Sequence, residues 1–150
     1  MKVASLKTHV VATPAPHIGG MYWIFVELET ACGIKGVGEI YSTAFHPSGI
    51  AVLVEDVFTR YLEGHDPHQI ERFWRAAYSS GFTQRPDPTV VGIISGLEIA
   101  CWDILGKARN RPVYALLGGK MNERIRSYTY LYPEPGKESA AFWVDPDAAA

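Results

Sequence analysis

Cysteine is scarce in this chain: Cys32 and Cys101 are the only two among 150 residues. So few, so far apart, match no zinc-ligand spacing and build no disulfide framework. Reduced thiols are the expectation. Neither sign of charge dominates, with 14 Lys and Arg against 16 Asp and Glu and a formal net charge of −2. The basic residues are scattered, which excludes the basic face that a nucleic-acid-binding domain needs. Long apolar runs are also lacking. The longest mostly apolar stretch, residues 90–105, contains Glu98 and Asp103 and reads as too short and too polar to span a bilayer. Met1-Lys2-Val3-Ala4-Ser5-Leu6 has no apolar h-region, so no secretory leader is expected. What remains is a chain with no membrane and no nucleic-acid partner, expected in the cytoplasm.

What is present is the composition of one ordinary globular domain, 47% apolar and 20% charged. Residues 2–13 are rich in β-branched side chains, with Val3, Thr8, Val10 and Val11, and predict a strand. Pro14 and Pro16 end it, and Gly19-Gly20 marks the tip of a loop. Residues 22–30 alternate, with Tyr22, Ile24, Val26 and Leu28 on one side and Trp23, Phe25, Glu27 and Glu29 on the other. After the turn Ala31-Cys32-Gly33, residues 34–41 return as a third strand. Gly36 and Gly38 in it point to a bulge or a close neighbour. Three strands joined by short links predict an antiparallel meander.

From Pro47 the period changes to that of a helix. Ile50, Leu53, Val54, Val57, Phe58, Tyr61 and Leu62 form one apolar side, and Gly64 closes the helix. Asp66-Pro67-His68-Gln69 reads as a start signal, with Asp66 as N-cap and Pro67 at the first helical position. Ile70, Phe73, Trp74, Ala77 and Tyr78 give that second helix its apolar face. Asp87-Pro88 repeats the signal for a third helix reaching about Ala108. Its small Ser95 and Gly96 allow another element to approach closely. A short helix follows over residues 112–117, stopped by Gly118-Gly119. Residues 125–132 are β-rich and end at Pro133, and they cannot belong to the helices before them. A sheet and helices segregated in this way define an α+β fold.

The stretch from Ser95 to Gly119 reads SGLEIACWDILGKARNRPVYALLGG. It resembles the enolase superfamily, in the mandelate racemase/muconate lactonizing enzyme branch. The resemblance rests on Gly96, Glu98, Ala100, Trp102, Asp103, Ile104, Gly106 and Lys107, then on Pro112, Val113, Tyr114, Leu116, Leu117, Gly118 and Gly119. Glu98 stands where many relatives have Asp. The order of elements agrees, and the Gly36-Val37-Gly38-Glu39 strand closes the meander. The resemblance implies an amino-terminal capping domain over residues 1–124 and the first strand of a (β/α) barrel in residues 125–150. By its residues alone, the motif reads as structural. Trp102 falls on the apolar side of its helix, and Asp103 with Lys107 is an i,i+4 pair worth only ~0.3–0.5 kcal/mol if exposed.

The resemblance further implies an enzyme that abstracts a proton α to a carboxylate and holds the enolate on Mg²⁺. Metal ligands and bases would come from barrel strands, so none is expected in this stretch. Glu134, Glu138, Asp145 and Asp147 lie in an aperiodic tail and are rejected as ligands. The implied partner is a small carboxylate substrate, and the implied assembly a homo-oligomer. Two cap loops would close over the substrate, matching residues 16–22, with His17 and Tyr22, and residues 41–46, with Thr43 and His46. Their glycines, hydroxyls and imidazoles suit a mobile, hydrogen-bonding lid and favour a polyhydroxylated acid, hence an acid-sugar dehydratase. A racemase, epimerase or cycloisomerase of the same family is the nearest alternative. An inactive interaction domain is a second. Tyr130 or Tyr132, near the end of the late strand, and Phe82, in the loop before the third helix, complete the expected substrate contacts. Packing beneath the cap is the competing reading for the tyrosines.

Overall fold

A computed structural model of the chain describes residues 1–15, 17, 19–41, 45–79 and 81–128. Three strands, β1 (Val3–Ala12), β2 (Tyr22–Thr30) and β3 (Lys35–Ile40), form one antiparallel sheet in the order β1-β2-β3. Four helices follow: α1 (Pro47–Tyr61), α2 (Ile70–Tyr78), α3 (Pro88–Arg109) and the single turn α4 (Val113–Leu116). The alternation read in β2 is the alternation found. Ile24, Val26 and Leu28 are buried, and Thr30 joins them, while Glu27 and Glu29 share the other face with Lys35 of β3.

The core lies between the inner face of this sheet and the helices. Ile93, Ile94, Leu97, Cys101 and Ile104 of α3 meet Ile50, Val54 and Phe58 of α1 and Phe73 of α2. Each such side chain, taken fully out of water, contributes roughly 1.5–3 kcal/mol. α3 is 22 residues long and apolar enough, by length and composition alone, to cross a membrane, but half of its most apolar window is buried inside the protein. The expectation of a run too short to span came from stopping it at Leu105. The helix continues to Arg109, and its apolarity is that of a central core helix.

Glycine sets how closely α3 approaches β3. A Cβ on Gly38 would lie 1.9 Å from the carbonyl oxygen of Gly96, and one on Gly36 would lie 2.1 Å from that of Ala100. The two glycines mark a close neighbour, and the register of β3 against β2 runs unbroken through them. The helix also seals the outer edge of β3. Asp103 accepts the Val37 backbone N–H at 2.9 Å, and Lys107 Nζ donates to the Lys35 carbonyl at 2.8 Å and to Asp103 at 2.7 Å. An open strand edge invites pairing with other chains. The Asp103–Lys107 pair, read from sequence as a solvated helix pair, instead satisfies that edge.

The start of α2 departs from expectation. Asp66 does not cap a helix beginning at Pro67. It accepts the His68 backbone N–H and ring Nδ1–H, at 3.1 and 2.8 Å, closing a separate turn, and α2 begins at Ile70 with Gln69 as an N-cap that makes no side-chain bond. Short-range bonds from Asp compete with helix initiation, and here they win. Asp87 does cap α3, accepting from Thr89 and Val90. Residues 125–128, the described part of the late β-rich segment, make no ladder. The rest of that segment lies outside the described residues.

Candidate functional site: a cleft between two end loops

The antiparallel register places the start of β2 beside the end of β3, with Ile24 opposite Ile40. The loop after β1 and the segment after β3 therefore sit together at one end of the sheet. The first turns of α3 arrive at the same end, since a Cβ on Gly92 would lie 2.5 Å from the Tyr41 carbonyl oxygen. Between the two segments is a cleft of about 520 Å³. Gly19, Gly20 and Met21 wall one side. Tyr41, Phe45 and His46 wall the other, and Trp23 and Glu39 lie on the strand ends between them.

Thr13 ties the first loop together. Its N–H donates to the Met21 carbonyl at 3.0 Å, its hydroxyl to the Gly20 carbonyl, and its own carbonyl accepts from His17 Nδ1 at 2.9 Å. A carbonyl only accepts, so Nδ1 carries the proton and Nε2 of neutral His17 is left as an acceptor. Gly19 (φ 86°) and Gly20 (φ 131°) are left-handed, a conformation that glycine adopts without steric cost. Gly19 rests on the Trp23 indole, where a Cβ would lie 3.1 Å from the ring.

His46 has two roles. Its Nδ1 accepts the Ser48 backbone N–H at 3.3 Å as the N-cap of α1, so the neutral ring carries its proton on Nε2. Its ring also meets Tyr22 edge-on, with centroids 5.7 Å apart. Tyr22 and His46, expected from sequence to share a site, are brought together from the two loops. His17 lies on the first loop but is bonded to the loop's own base and is not on the cleft wall. Phe82 is 94% exposed in a separate loop that a Ser79–Gln84 bridge closes before α3. It stands apart from the wall. Thr43, Tyr130 and Tyr132 lie outside the described residues.

Sequence reasoning missed Trp23, Glu39, Tyr41 and Phe45. Three of these are aromatic, with Tyr41 and Phe45 well exposed, and their signal was a cluster of large side chains flanking the loops. Trp102, expected in the core, is half-buried, and its indole donates to Glu98 at 3.2 Å. The cysteines differ sharply, and both are free thiols. Burial, with Glu98 nearby, pushes the Cys101 thiol up to about 12. The Thr30 hydroxyl beside exposed Cys32 holds its thiol below the ordinary value. Among the described residues no three His, Cys, Asp or Glu side chains converge as a metal site would require, so they do not fit Mg²⁺.

A three-stranded meander backed by helices, with two end loops framing a cleft, is the architecture of an enolase-type capping domain. The chain belongs to the mandelate racemase/muconate lactonizing enzyme family, whose N-terminal domain model matches residues 6–118. It is similar to the crystal structure of a mandelate racemase/muconate lactonizing enzyme from Sulfitobacter sp, with 58% identity and a TM-score of 0.92 over 100% of this chain and 38% of that one. A second such structure, from Jannaschia sp. CCS1, is 55% identical with a TM-score of 0.91, over 99% of this chain and 39% of that one. The D-galactonate dehydratase of Klebsiella pneumoniae (strain 342) is 38% identical over 112 residues, which is 73% of this chain. The chain spans 28% of the length of that curated relative.

Proposed function

We propose that this chain is the specificity cap of a Mg²⁺-dependent acid-sugar dehydratase. In such a reaction the substrate loses the proton α to its carboxylate and expels its β-hydroxyl as water, leaving a 2-keto-3-deoxy acid. A divalent cation suits this chemistry because it neutralises the developing enolate charge. No described residue is assigned to hold it, and the bases are assigned to no residue here. The part proposed for this chain is to bind and orient the substrate and to exclude water, with the remaining length of the enzyme supplying the reacting groups.

The observation that carries the reading is the cleft itself. Tyr22, where β2 begins, and His46, which caps α1, meet beside a space of about 520 Å³, a size that suits one small molecule. Its wall mixes apolar rings with phenol and imidazole groups, a combination suited to a hydroxylated ligand of few carbons. The 38% identity to D-galactonate dehydratases supports the substrate class. The test is a screen of acid sugars against the full-length enzyme with Mg²⁺, read by 2-keto acid formation and, in deuterated water, by exchange at the α-carbon. Mg²⁺-dependent keto-acid formation from an acid sugar is expected. Exchange with inversion and no keto acid would assign a racemase or epimerase instead. Neither on any carboxylic acid would leave the interaction-domain reading.

A further inference from the structure

The charge of the cleft is one-sided. The described residues that line the cleft include no Lys or Arg. Among the described residues Glu39 is the only carboxylate on the cleft wall, and it makes no ion pair or side-chain hydrogen bond with any of them. It stands on β3 opposite Phe25, so its nearest partner across the sheet brings no compensating charge. The other polar groups on the wall are the phenols of Tyr22 and Tyr41 and the His46 imidazole, whose Nδ1 is already committed to Ser48.

A carboxylate entering such a space loses water and meets no Lys or Arg among the described lining residues to replace it. A second carboxylate there also meets Glu39, and like charges placed together are how a site rejects a wrong partner. A hydroxyl group has the opposite balance: a carboxylate and a phenol oxygen both accept from it, and the His46 Nε2–H donates to it.

From this we infer that Glu39 is a specificity-determining residue. The cleft takes the uncharged, hydroxyl-bearing end of the substrate, and the enzyme selects monocarboxylic sugar acids over the corresponding dicarboxylic ones. The inference rests on the proposed function in placing the substrate in this cleft. It adds which end enters and which class of acid is refused.

The experiment compares matched pairs in the full-length enzyme: an aldonate with the aldarate of the same stereochemistry. The same comparison is made for whichever carboxylic acid the enzyme does turn over, against its ω-carboxy analogue. If the acid-sugar reading fails, the second pair still tests Glu39. The expected result is a kcat/KM at least roughly tenfold higher for the monoacid, since a like-charge juxtaposition costs that much or more. In Glu39→Gln the ratio is expected to fall towards one, with kcat/KM on the diacid rising in absolute terms while the monoacid loses the charge-assisted part of its hydrogen bond. Thermal melting of the variant establishes that it is folded, and Glu39→Asp, which keeps the charge, is expected to keep the preference. A diacid processed as well as its monoacid, or a ratio unmoved in folded Glu39→Gln, would overturn the inference.

Discussion

Replacing Gly38 by alanine tests the packing that positions the cleft. The added methyl carbon would stand 1.9 Å from the Gly96 carbonyl oxygen, 2.9 Å from its carbon and 3.0 Å from the Ala100 nitrogen. All three are backbone atoms of α3, so no side chain can swing away. The helix or the strand has to move. Overpacking of a tight interface costs roughly 1–3 kcal/mol, and three backbone clashes place Gly38→Ala at the upper end. Alanine also restricts the unfolded chain, which returns about 0.4–1 kcal/mol. The net prediction is a loss of about 2 kcal/mol, or roughly 4–8 °C in Tm for a domain of this size. Gly49→Ala is the control. It lies in the first turns of α1 with nothing within 4 Å of its added carbon, so relief of glycine's helix penalty predicts a gain of about 0.5–1 kcal/mol. Circular dichroism melts of the three proteins decide the matter. A Gly38→Ala variant as stable as the parent would refute the argument that glycine sets the distance between β3 and α3.

Three further predictions follow from named contacts. Asp103→Ala should lower stability in urea by about 1–2 kcal/mol, because the Val37 N–H loses a charged acceptor. A cycle with Lys107→Ala should show a coupling of roughly 0.3–1 kcal/mol, and no coupling would mean that the two do not act together. The hydrogen bonds from His68 hold the Asp66 carboxyl below the usual range. Its contribution should therefore be present above its unfolded pKa and lost as pH falls through the lower folded value. Asp66→Asn should flatten that acid limb of a stability-versus-pH curve, and an unchanged limb would contradict the assignment. Thiol labelling near pH 8 should show one fast cysteine, abolished by Cys32→Ser, with Cys101 reacting only on unfolding. Two fast thiols would mean that Cys101 is not buried as described.

Local signals carried much of the fold. Alternation alone located β2, and the Asp87-Pro88 pair located the start of α3, because both are set by neighbours in sequence. Asp66-Pro67 carried the same local signal and misled, since the His68 ring and backbone N–H occupy the Asp carboxylate in a separate turn. The edge seal was not legible, because Asp103 meets Val37 across 66 residues of sequence and no periodicity encodes that pairing. The candidate cleft was legible in part. Tyr22 and His46 stood out as polar groups on loops, and the meander brought those loops together. The capping role of His46 was hidden because Ser, Thr, Asp and Asn, not His, are the usual N-caps. Glu39 was hidden because a strand residue at the end of an alternating pattern looks like any solvated carboxylate.

The central claim is that this domain chooses the substrate while the chemistry is performed elsewhere in the enzyme. It is tested most directly by steady-state kinetics and α-deuterium exchange in full-length Tyr41→Phe and Tyr22→Phe, which remove the two phenol hydroxyls of the cleft wall. Removing one or two lid hydrogen bonds should lower kcat/KM by roughly 10- to 100-fold, about 1.4–2.8 kcal/mol, with exchange at saturating substrate retained. Normal kinetics in both variants would show that the loops do not touch the substrate, and loss of exchange in a folded variant would show that the cap itself carries a reacting group.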